Sequence, residues 1–420
     1  MKLLTVIGTG RYDEVAYVWD SPEGEREYVS RYAPAATAHF LQPKEMILLA
    51  TPEAAAAHLS PLCAAMEGVS PVRVVEIPLG QEEGELWRIF TLIAEQVGPG
   101  ECIALDITHG FRSLPMVVLM AVCFLRVARR VEVERILYGA YEARDESASP
   151  PRVPMFDLTQ MFDLLEWAVA ADRFVRLGDA RDLATLLRKA NPPGPMQRLD
   201  PALRDLGRRL GPLAKRLDAM SLSLLLARTY DVMRTAEELG SRLERAEEVY
   251  PPEARPFAEI SAQVEDAFRD LALAEPQAPQ NVVGSLDRQR RLIHWYWEHQ
   301  HYMQTATLAR EWLISWVAAW RGEADLLSEA SRSEAETSLG QLLAYAKRGR
   351  KASLEGVPRS EKLGMLWGKV TDVRNDLDHA GMRRGYRPAD ALVEGLRECL
   401  ETLEGLPLPG EDISPTTEPR

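Results

Sequence analysis

The 420-residue sequence has few cysteines, no long apolar run and no excess of positive charge. Its four cysteines are far apart and form no CxxC pair, which argues against a zinc site or a disulfide framework. The longest apolar run, Met116 to Leu125, is about half of a membrane span and is closed by Arg126. We therefore expect reduced core cysteines and no membrane-spanning segment.

The N-terminus also lacks a basic region followed by an apolar stretch, so we expect no secretory signal and a cytoplasmic location. A net charge of −13 argues against a protein that coats nucleic acid without specificity. The charge is uneven, however: residues 341–390 hold 11 Lys and Arg against 6 Asp and Glu, whereas residues 237–275 hold 4 against 11. The sequence thus allows a basic site on an acidic body.

A chain of this length should form two or three domains. Residues 1–142 alternate short apolar runs with helical stretches, which predicts a Rossmann-like parallel sheet covered by helices on both faces. A hairpin is expected after the first strand, with strands Val15–Trp19 and Glu27–Ser30. The other predicted strands are Leu3–Ile7, Met46–Ala50, Val72–Ile77, Cys102–Ile107 and Arg135–Tyr138, and the predicted helices are Pro52–Ala65, Glu83–Gln96 and Leu114–Arg129.

Beyond this α/β region, the polar and proline-rich segment Ala143–Pro154 predicts a domain boundary, and everything after it is predicted to be helical. We expect a helical connector over residues 155–282 and an all-α helical domain over residues 285–405. The segment 407–420 contains four prolines and few apolar residues, so we expect a disordered tail there.

Two loops of the α/β region suit a phosphate-bearing ligand. In open α/β sheets, ligands lie beyond the carboxyl ends of the strands, where loops present backbone N–H groups. The first strand ends in Gly8 to Arg11, and the strand Cys102–Ile107 ends in Thr108 to Ser113. Both loops offer glycine, hydroxyl and arginine groups, although the first loop taken alone is better explained as an ordinary turn. A dinucleotide fingerprint is absent because Asp13 stands where the third glycine should be.

Two residues near the second loop have uncertain roles from sequence. His109 could bind a ligand or orient the loop, with neither role preferred. Asp106, at the strand end, is expected to be structural and to accept hydrogen bonds from backbone N–H groups of the loop.

A second candidate site lies near the C-terminus, in a helix predicted over Leu363–His379. Arg374 and His379 are about 140° apart around an ideal helix, so they converge only if the helix ends or bends near His379. Histidine suits the proton transfers of metal-free RNA cleavage, and arginine suits the charge of the phosphorane. One residue of each type is too few, but two protomers would supply two of each. Taken alone, the pair equally describes a solvated Arg and a His at a helix terminus.

Both segments resemble known families. Asp106 to Pro115 resembles the signature of CARF domains, the sensors of CRISPR-associated accessory proteins, and this resemblance extends over about the first 140 residues. Arg374 to Gly381 resembles the motif of HEPN ribonucleases, and the basic run Lys347 to Lys351 lies nearby in sequence. Together, the two ends of the chain resemble the CARF–HEPN ribonucleases of type III CRISPR defence.

The resemblance implies a homodimer or a higher even oligomer that cleaves single-stranded RNA without a metal, by attack of the 2′-hydroxyl to give a 2′,3′-cyclic phosphate. It implies no required cofactor and an activator of the cyclic oligoadenylate class, with cyclic tetra-adenylate expected. The implied catalytic residues are Arg374 and His379, with Asn375 orienting the histidine or the phosphate. The candidate ligand-binding residues are Thr9, Gly10, Arg11, Thr108, His109, Gly110 and Arg112.

Two other functions remain open from sequence. His294, Glu298 and His301 are spaced i, i+4, i+7 and could bind a metal in a metal-dependent nuclease, although packing of the neighbouring Trp and Tyr is the favoured interpretation. The chain could also be a non-catalytic sensor of cyclic nucleotides that signals to a partner. The sequence does not tell whether the N-terminal domain degrades its own activator.

Overall fold

The computed structural model describes residues 1–110, 113–246, 250–251, 254–382 and 384–411. The chain forms two compact units, Met1–Leu165 and Glu166–Arg420. The first unit is α/β and the second is helical, which confirms the predicted combination of fold classes. Within the described residues, no helix is both long and apolar enough to cross a membrane.

The first unit is built on one eight-stranded sheet with the order β3-β2-β8-β7-β6-β1-β4-β5. Five neighbouring strands, β7-β6-β1-β4-β5, are parallel, and β2 and β3 form the predicted antiparallel hairpin. The strands are β1 (Lys2–Ile7), β2 (Val15–Ser21), β3 (Gly24–Ser30), β4 (Glu45–Ala50), β5 (Val72–Glu76), β6 (Cys102–Asp106), β7 (Glu132–Gly139) and β8 (Arg152–Asp157).

Helices cover both faces of this sheet, and strand β1 shows why. Leu4 and Val6 pack into one apolar cluster, whereas Leu3 and Ile7 pack into another, so successive side chains of the strand are buried on opposite faces. The helices of this unit are α1 (Ala33–Leu41), α2 (Pro52–Ala65), α3 (Glu83–Gln96), α4 (Ser113–Arg129) and the short α5 (Thr159–Phe162).

The prediction of a domain boundary over Ala143–Pro154, with only helices after it, is wrong. Strand β8 pairs antiparallel with β7 and parallel with β2, and the compact unit continues to Leu165. The segment did not look like a strand because Pro154 interrupts a run of only six residues. Pro154 lies outside the three-residue ladder with β7, and its carbonyl accepts a hydrogen bond from the backbone N–H of Ala140.

The second unit contains the predicted connector and the predicted C-terminal domain, and these share one hydrophobic core. That core includes buried residues from Trp167 to Leu408. For example, the hydroxyl of Tyr296 donates to the carbonyl of Leu224 at 2.9 Å, and the rings of Trp295 and Phe268 are 6.3 Å apart. The helices are α6 (Leu164–Leu177), α7 (Arg181–Lys189), α8 (Gly194–Leu199), α9 (Pro201–Leu225), α10 (Thr229–Ala246), α11 (Arg255–Arg269), α12 (Val282–Glu298), α13 (Tyr302–Trp320), α14 (Glu329–Lys347), α15 (Ser360–Asp378) and α16 (Ala389–Glu404).

The expected disordered tail begins with an ordered segment. The carbonyl of Pro407 accepts hydrogen bonds from the indole N–H groups of Trp316 at 2.7 Å and Trp320 at 3.3 Å. Leu408 is buried in the core of the second unit, and its backbone N–H donates to Glu411. The prediction of disorder was therefore wrong from Pro407 to Glu411, and residues 412–420 lie outside the described residues.

Candidate functional site

The two loops predicted to bind a ligand follow neighbouring strands. Strand β1 pairs with β4 on one side and with β6 on the other, so the direction of the strand order reverses at β1. Such a switch point opens a crevice at the carboxyl ends of the two central strands. The loops meet there, because a Cβ at Gly8 would lie 3.5 Å from the Cα of Gly110.

Gly110 is required at this position for two reasons. Its φ of +133° is a conformation that side-chain-bearing residues rarely adopt. A Cβ at Gly110 would also lie 2.9 Å from Cγ1 of Val6, inside van der Waals contact. The glycine thus allows the β6 loop to approach the end of β1, while Arg112, the last predicted ligand residue of this loop, lies outside the described residues.

The loop after β1 is closed by the side chain of Tyr12. Its hydroxyl accepts from the backbone N–H of Gly8 at 3.1 Å and donates to the carbonyl of Gly8 at 3.2 Å. Thr9, Gly10 and Arg11 form the tip between these two positions and are exposed. The tip is therefore held in shape while its hydroxyl and guanidinium groups face solvent.

Thr108 connects the ends of β6 and β7. Its hydroxyl donates to the buried carboxylate of Asp106 at 2.6 Å and accepts from the backbone N–H of Gly139 at 2.8 Å. Asp106 also accepts from Thr5 and from the backbone N–H of Thr108, as predicted for a structural role. Burial raises the pKa of Asp106, although these hydrogen bonds act in the opposite direction. Thr108 therefore positions the loop, and one acceptor lone pair remains for a ligand.

His109 holds the loop through one of its two ring nitrogens. Its Nε2 accepts a hydrogen bond from the backbone N–H of Ala33, the first residue of α1, at 3.1 Å. The ring packs against Tyr12 with centroids 4.1 Å apart. Burial, together with the nearby His58, lowers the pKa of His109 to about 3, so the imidazole is neutral at pH 7. This is one of the two roles that the sequence left open.

A cavity of about 220 Å³ lies beside these loops. Of the predicted ligand residues, Arg11, Thr108 and His109 line it. The sequence missed the rest of the lining, which comes from the loop between β1 and β2, strand β2, the link between β3 and α1, the end of β7 and the turn that follows β7. These additional residues are Tyr12, Asp13, Tyr17, Arg31, Tyr138, Gly139, Tyr141 and Glu142.

The second candidate site is at the end of α15. The helix ends at Asp378, His379 follows directly, and Ala380 and Gly381 both have positive φ values. The helix thus ends near His379, which is the condition under which Arg374 and His379 can converge. Four of the five predicted apolar residues of this helix, Leu363, Leu366, Val370 and Val373, are buried, and Leu377 is partly buried.

The functional side chains of α15 differ in how they are held. Arg374 pairs with Asp378 one turn later, with Nε 2.9 Å from the carboxylate, and also donates to the side-chain oxygen of Asn375 at 3.2 Å. The side chain of Asn375 thus contacts the arginine, while its backbone carbonyl accepts from the backbone N–H of His379 at 3.1 Å. The ring of His379 is exposed and has no hydrogen-bond partner among the described residues. A phosphate would compete with Asp378 for the guanidinium, whereas the imidazole is accessible.

The loop after α15 is anchored by a buried carboxylate. Asp376, which is 1% exposed, accepts from the backbone N–H of Arg387 at 3.0 Å. The guanidinium of Arg387 lies 2.9 Å from Asp372. These contacts fix the segment that follows His379. The basic run from Lys347 to Lys351 ends α14 and is exposed.

The three residues of the metal-binding alternative do not share one helix. His294 and Glu298 are on α12, but this helix ends at Glu298, and Gln300 has a φ of 60°. His301 therefore leaves the helical register, and its ring Nε2–H donates to the carbonyl of Leu177 at 3.0 Å. No group of three or more metal-binding side chains is found within the part of the chain that the structure describes. Tyr296 is fully buried and Trp295 nearly so, as packing residues would be.

Comparison with known proteins identifies a segment between the two candidate sites. A family model described as CRISPR-associated protein MJ1674, second domain, matches residues 163–275. CRISPR-associated protein MJ1674 of Methanocaldococcus jannaschii is 31% identical over 114 residues, which cover 26% of this chain and 18% of that protein. The match thus spans less than a fifth of the relative. The matched region, residues 163–275, lies in the part of the chain to which the sequence assigned no function.

Proposed function

We propose that this chain is a metal-independent endoribonuclease of CRISPR defence, activated by a cyclic oligoadenylate and acting on single-stranded RNA. The observation that carries the proposal is the end of α15, where His379 is exposed directly after the last helical residue and Arg374 lies in the last turn. The similarity to a CRISPR-associated protein over residues 163–275 supports the biological setting.

The chemistry follows from the two side-chain types. An imidazole can take the proton from the 2′-hydroxyl or return one to the leaving 5′-oxygen, and a guanidinium can bind the charged phosphorane. A single chain offers one of each at this site, so base and acid would come from two copies related by a two-fold axis. The products are a 2′,3′-cyclic phosphate and a 5′-hydroxyl.

Activation requires that the ligand bind one arrangement of the dimer more tightly than another. The loops at the β1–β6 switch point support the ligand site, because Gly8 and Gly110 bring two backbones together and Arg11 is exposed beside them. Binding there would favour the arrangement in which the two Arg374 and His379 pairs face the same RNA. The helices between the two sites in sequence would transmit the change.

The test is cleavage of a labelled single-stranded RNA by the purified full-length chain. Reactions contain EDTA and either no activator, cyclic tetra-adenylate or cyclic hexa-adenylate. We expect cleavage only with a cyclic oligoadenylate, at a rate unaffected by EDTA, with 2′,3′-cyclic phosphate ends.

Two outcomes would contradict the proposal. Activator binding without RNA cleavage would favour the non-catalytic sensor. Cleavage that EDTA abolishes and manganese or zinc restores would favour a metal-dependent enzyme instead.

A further inference from the structure

We propose that the cavity beside the β1 loop is a pocket for one adenine base of the activator, with Tyr141 as its stacking surface and Asp13 as its polar acceptor. This inference rests on the proposed function, because it names how the same ligand is recognised. Neither Tyr141 nor Asp13 belongs to the ligand residues that the sequence indicated.

The size of the cavity fits a single ring system. Pockets for drug-sized ligands have volumes of about 300–1,000 Å³, and this one holds about 220 Å³. A whole cyclic oligonucleotide is far too large for such a space. One base can enter while the ribose and phosphate groups stay at the loops outside.

The walls provide aromatic surface held in place from several sides. Tyr141 begins a short 3₁₀ turn after β7 and is 37% exposed. The guanidinium of Arg144 lies 4.3 Å from the centre of its ring. Tyr12, the buried Tyr17 and Tyr138 also contribute aromatic rings to the lining. Flat aromatic surfaces of this kind stack on nucleobases independently of hydrogen bonding.

The polar groups of the cavity select for a base that donates hydrogen bonds. Asp13 accepts from the Tyr141 hydroxyl at 3.1 Å, and Glu142 accepts from the Tyr138 hydroxyl at 3.4 Å. An ionised carboxylate is acceptor-only and has further lone pairs, so Asp13 can also accept from an exocyclic amine. Adenine carries such an amine, whereas uracil presents a carbonyl at the corresponding edge and would be repelled.

The lining of the cavity also includes the positive charge that a nucleotide needs. Arg11 and Arg31 both line it, both are exposed, and neither is in an ion pair among the described residues. Guanidinium groups bind phosphate oxygens through two parallel hydrogen bonds. A pocket whose lining combines aromatic rings, carboxylates and two exposed arginines therefore matches a base with its phosphates attached.

The experiment measures binding of cyclic tetra-adenylate and cyclic hexa-adenylate to the full-length chain, with cyclic tetra-uridylate as the base control. We expect Tyr141→Ala to weaken cyclic oligoadenylate binding at least tenfold and Tyr141→Phe, which keeps the ring, to weaken it less than threefold. We expect Asp13→Ala to reduce the preference for the adenine over the uracil ligand. Tyr28→Ala is the matched control, because Tyr28 stacks on His39 outside the cavity.

The outcomes separate this inference from the proposed function. If both cyclic oligoadenylates bind the wild type and Tyr141→Ala equally well, the proposal of a base pocket is wrong, but the proposed activator is still supported. If neither cyclic oligoadenylate binds the wild type, both the proposed activator and the base pocket are wrong. The RNA cleavage assay tests the activator independently of this binding measurement. A ligand carrying 2-aminopurine gives a second readout, since stacking on Tyr141 should quench its fluorescence in the wild type and not in Tyr141→Ala.

Discussion

The two candidate sites differ in how far contacts within one chain prepare them. At the β1–β6 switch point, the hydroxyls of Tyr12 and Thr108 and the imidazole of His109 are all engaged in holding loops together. At the end of α15, the imidazole of His379 is exposed and the guanidinium of Arg374 is shared with Asp378. The first site is preorganised, and the second presents reactive groups on a surface.

This difference suggests a division of labour. A preorganised site loses little entropy on binding, which suits tight capture of a scarce signal molecule. A surface pair that needs a second copy to supply the missing proton donor or acceptor stays inactive until the copies are brought into register. Variants at each site should therefore affect different measurements.

The largest effect is expected from His379→Ala. Removing a general acid or base costs about 10²–10⁴-fold in rate, so activator-dependent RNA cleavage should fall by at least a hundredfold. Binding of cyclic tetra-adenylate should be unchanged, because the activator loops are in the other compact unit. His294→Ala serves as the control. His294 is on α12, and its Nδ1 lies 3.4 Å from the carboxylate of Glu404 on α16. Full activity of His379→Ala, or loss of activity in the control instead, would contradict the assignment.

The second effect concerns the stability of the N-terminal unit at acid pH. Burial and His58 lower the pKa of His109 to about 3 in the folded protein, whereas a histidine in the unfolded chain has a pKa of ~6.5. As the pH falls, His109 of the unfolded chain is therefore protonated before His109 of the folded protein. The contribution of neutral His109 to the free energy of unfolding is complete above about pH 6.5. It is lost as the pH falls towards 3, by up to about 1.4 kcal/mol per pH unit. Urea unfolding of the wild type and His109→Gln at pH 7, 6 and 5 measures this. If the free energy of unfolding depends on pH equally in the two proteins, the pKa of His109 is not lowered in the folded state.

The smallest effect is expected from Asp378→Asn. The variant removes the charge that Arg374 shares, and a partly exposed ion pair contributes about 0.2–1 kcal/mol. The KM for RNA should therefore fall about 1.4-fold to fivefold, with kcat little changed. Asp372→Asn is the matched control, because it removes the same charge from the same helix but pairs with Arg387. If both variants lower KM equally, the effect comes from the overall charge and not from Arg374.

The sequence predicted the parallel sheet because its strands are continuous apolar runs. It also predicted helix α2 with its observed bounds, since Thr51 caps it through a hydrogen bond to the backbone N–H of Ala54 and Pro52 follows. Strand β8 was missed because a proline interrupts a short segment. The shared core of the second unit was missed because the segment 275–281, which contains two prolines, looks like a domain boundary in sequence, although apolar side chains on both sides of it pack together.

The candidate sites could be predicted only in part. Loops that follow strands can be found from glycines and strand ends, and Gly8 and Gly110 do meet. Tyr141 could not be found, because it lies in a three-residue turn without periodic pattern and becomes relevant only when β7 is placed beside β6. The contact of Arg374 with Asp378 follows from their i, i+4 spacing, and this signal was available in the sequence.

The carbonyl of Pro407 also has a practical consequence. Since two indole N–H groups donate to it, the fluorescence of Trp316 and Trp320 should respond when the C-terminal segment leaves its place. The second unit thus contains an intrinsic optical reporter for the attachment of its own last residues. A truncation before Pro407 would remove the acceptor that both tryptophans share, whereas an affinity tag placed after residue 411 leaves it intact.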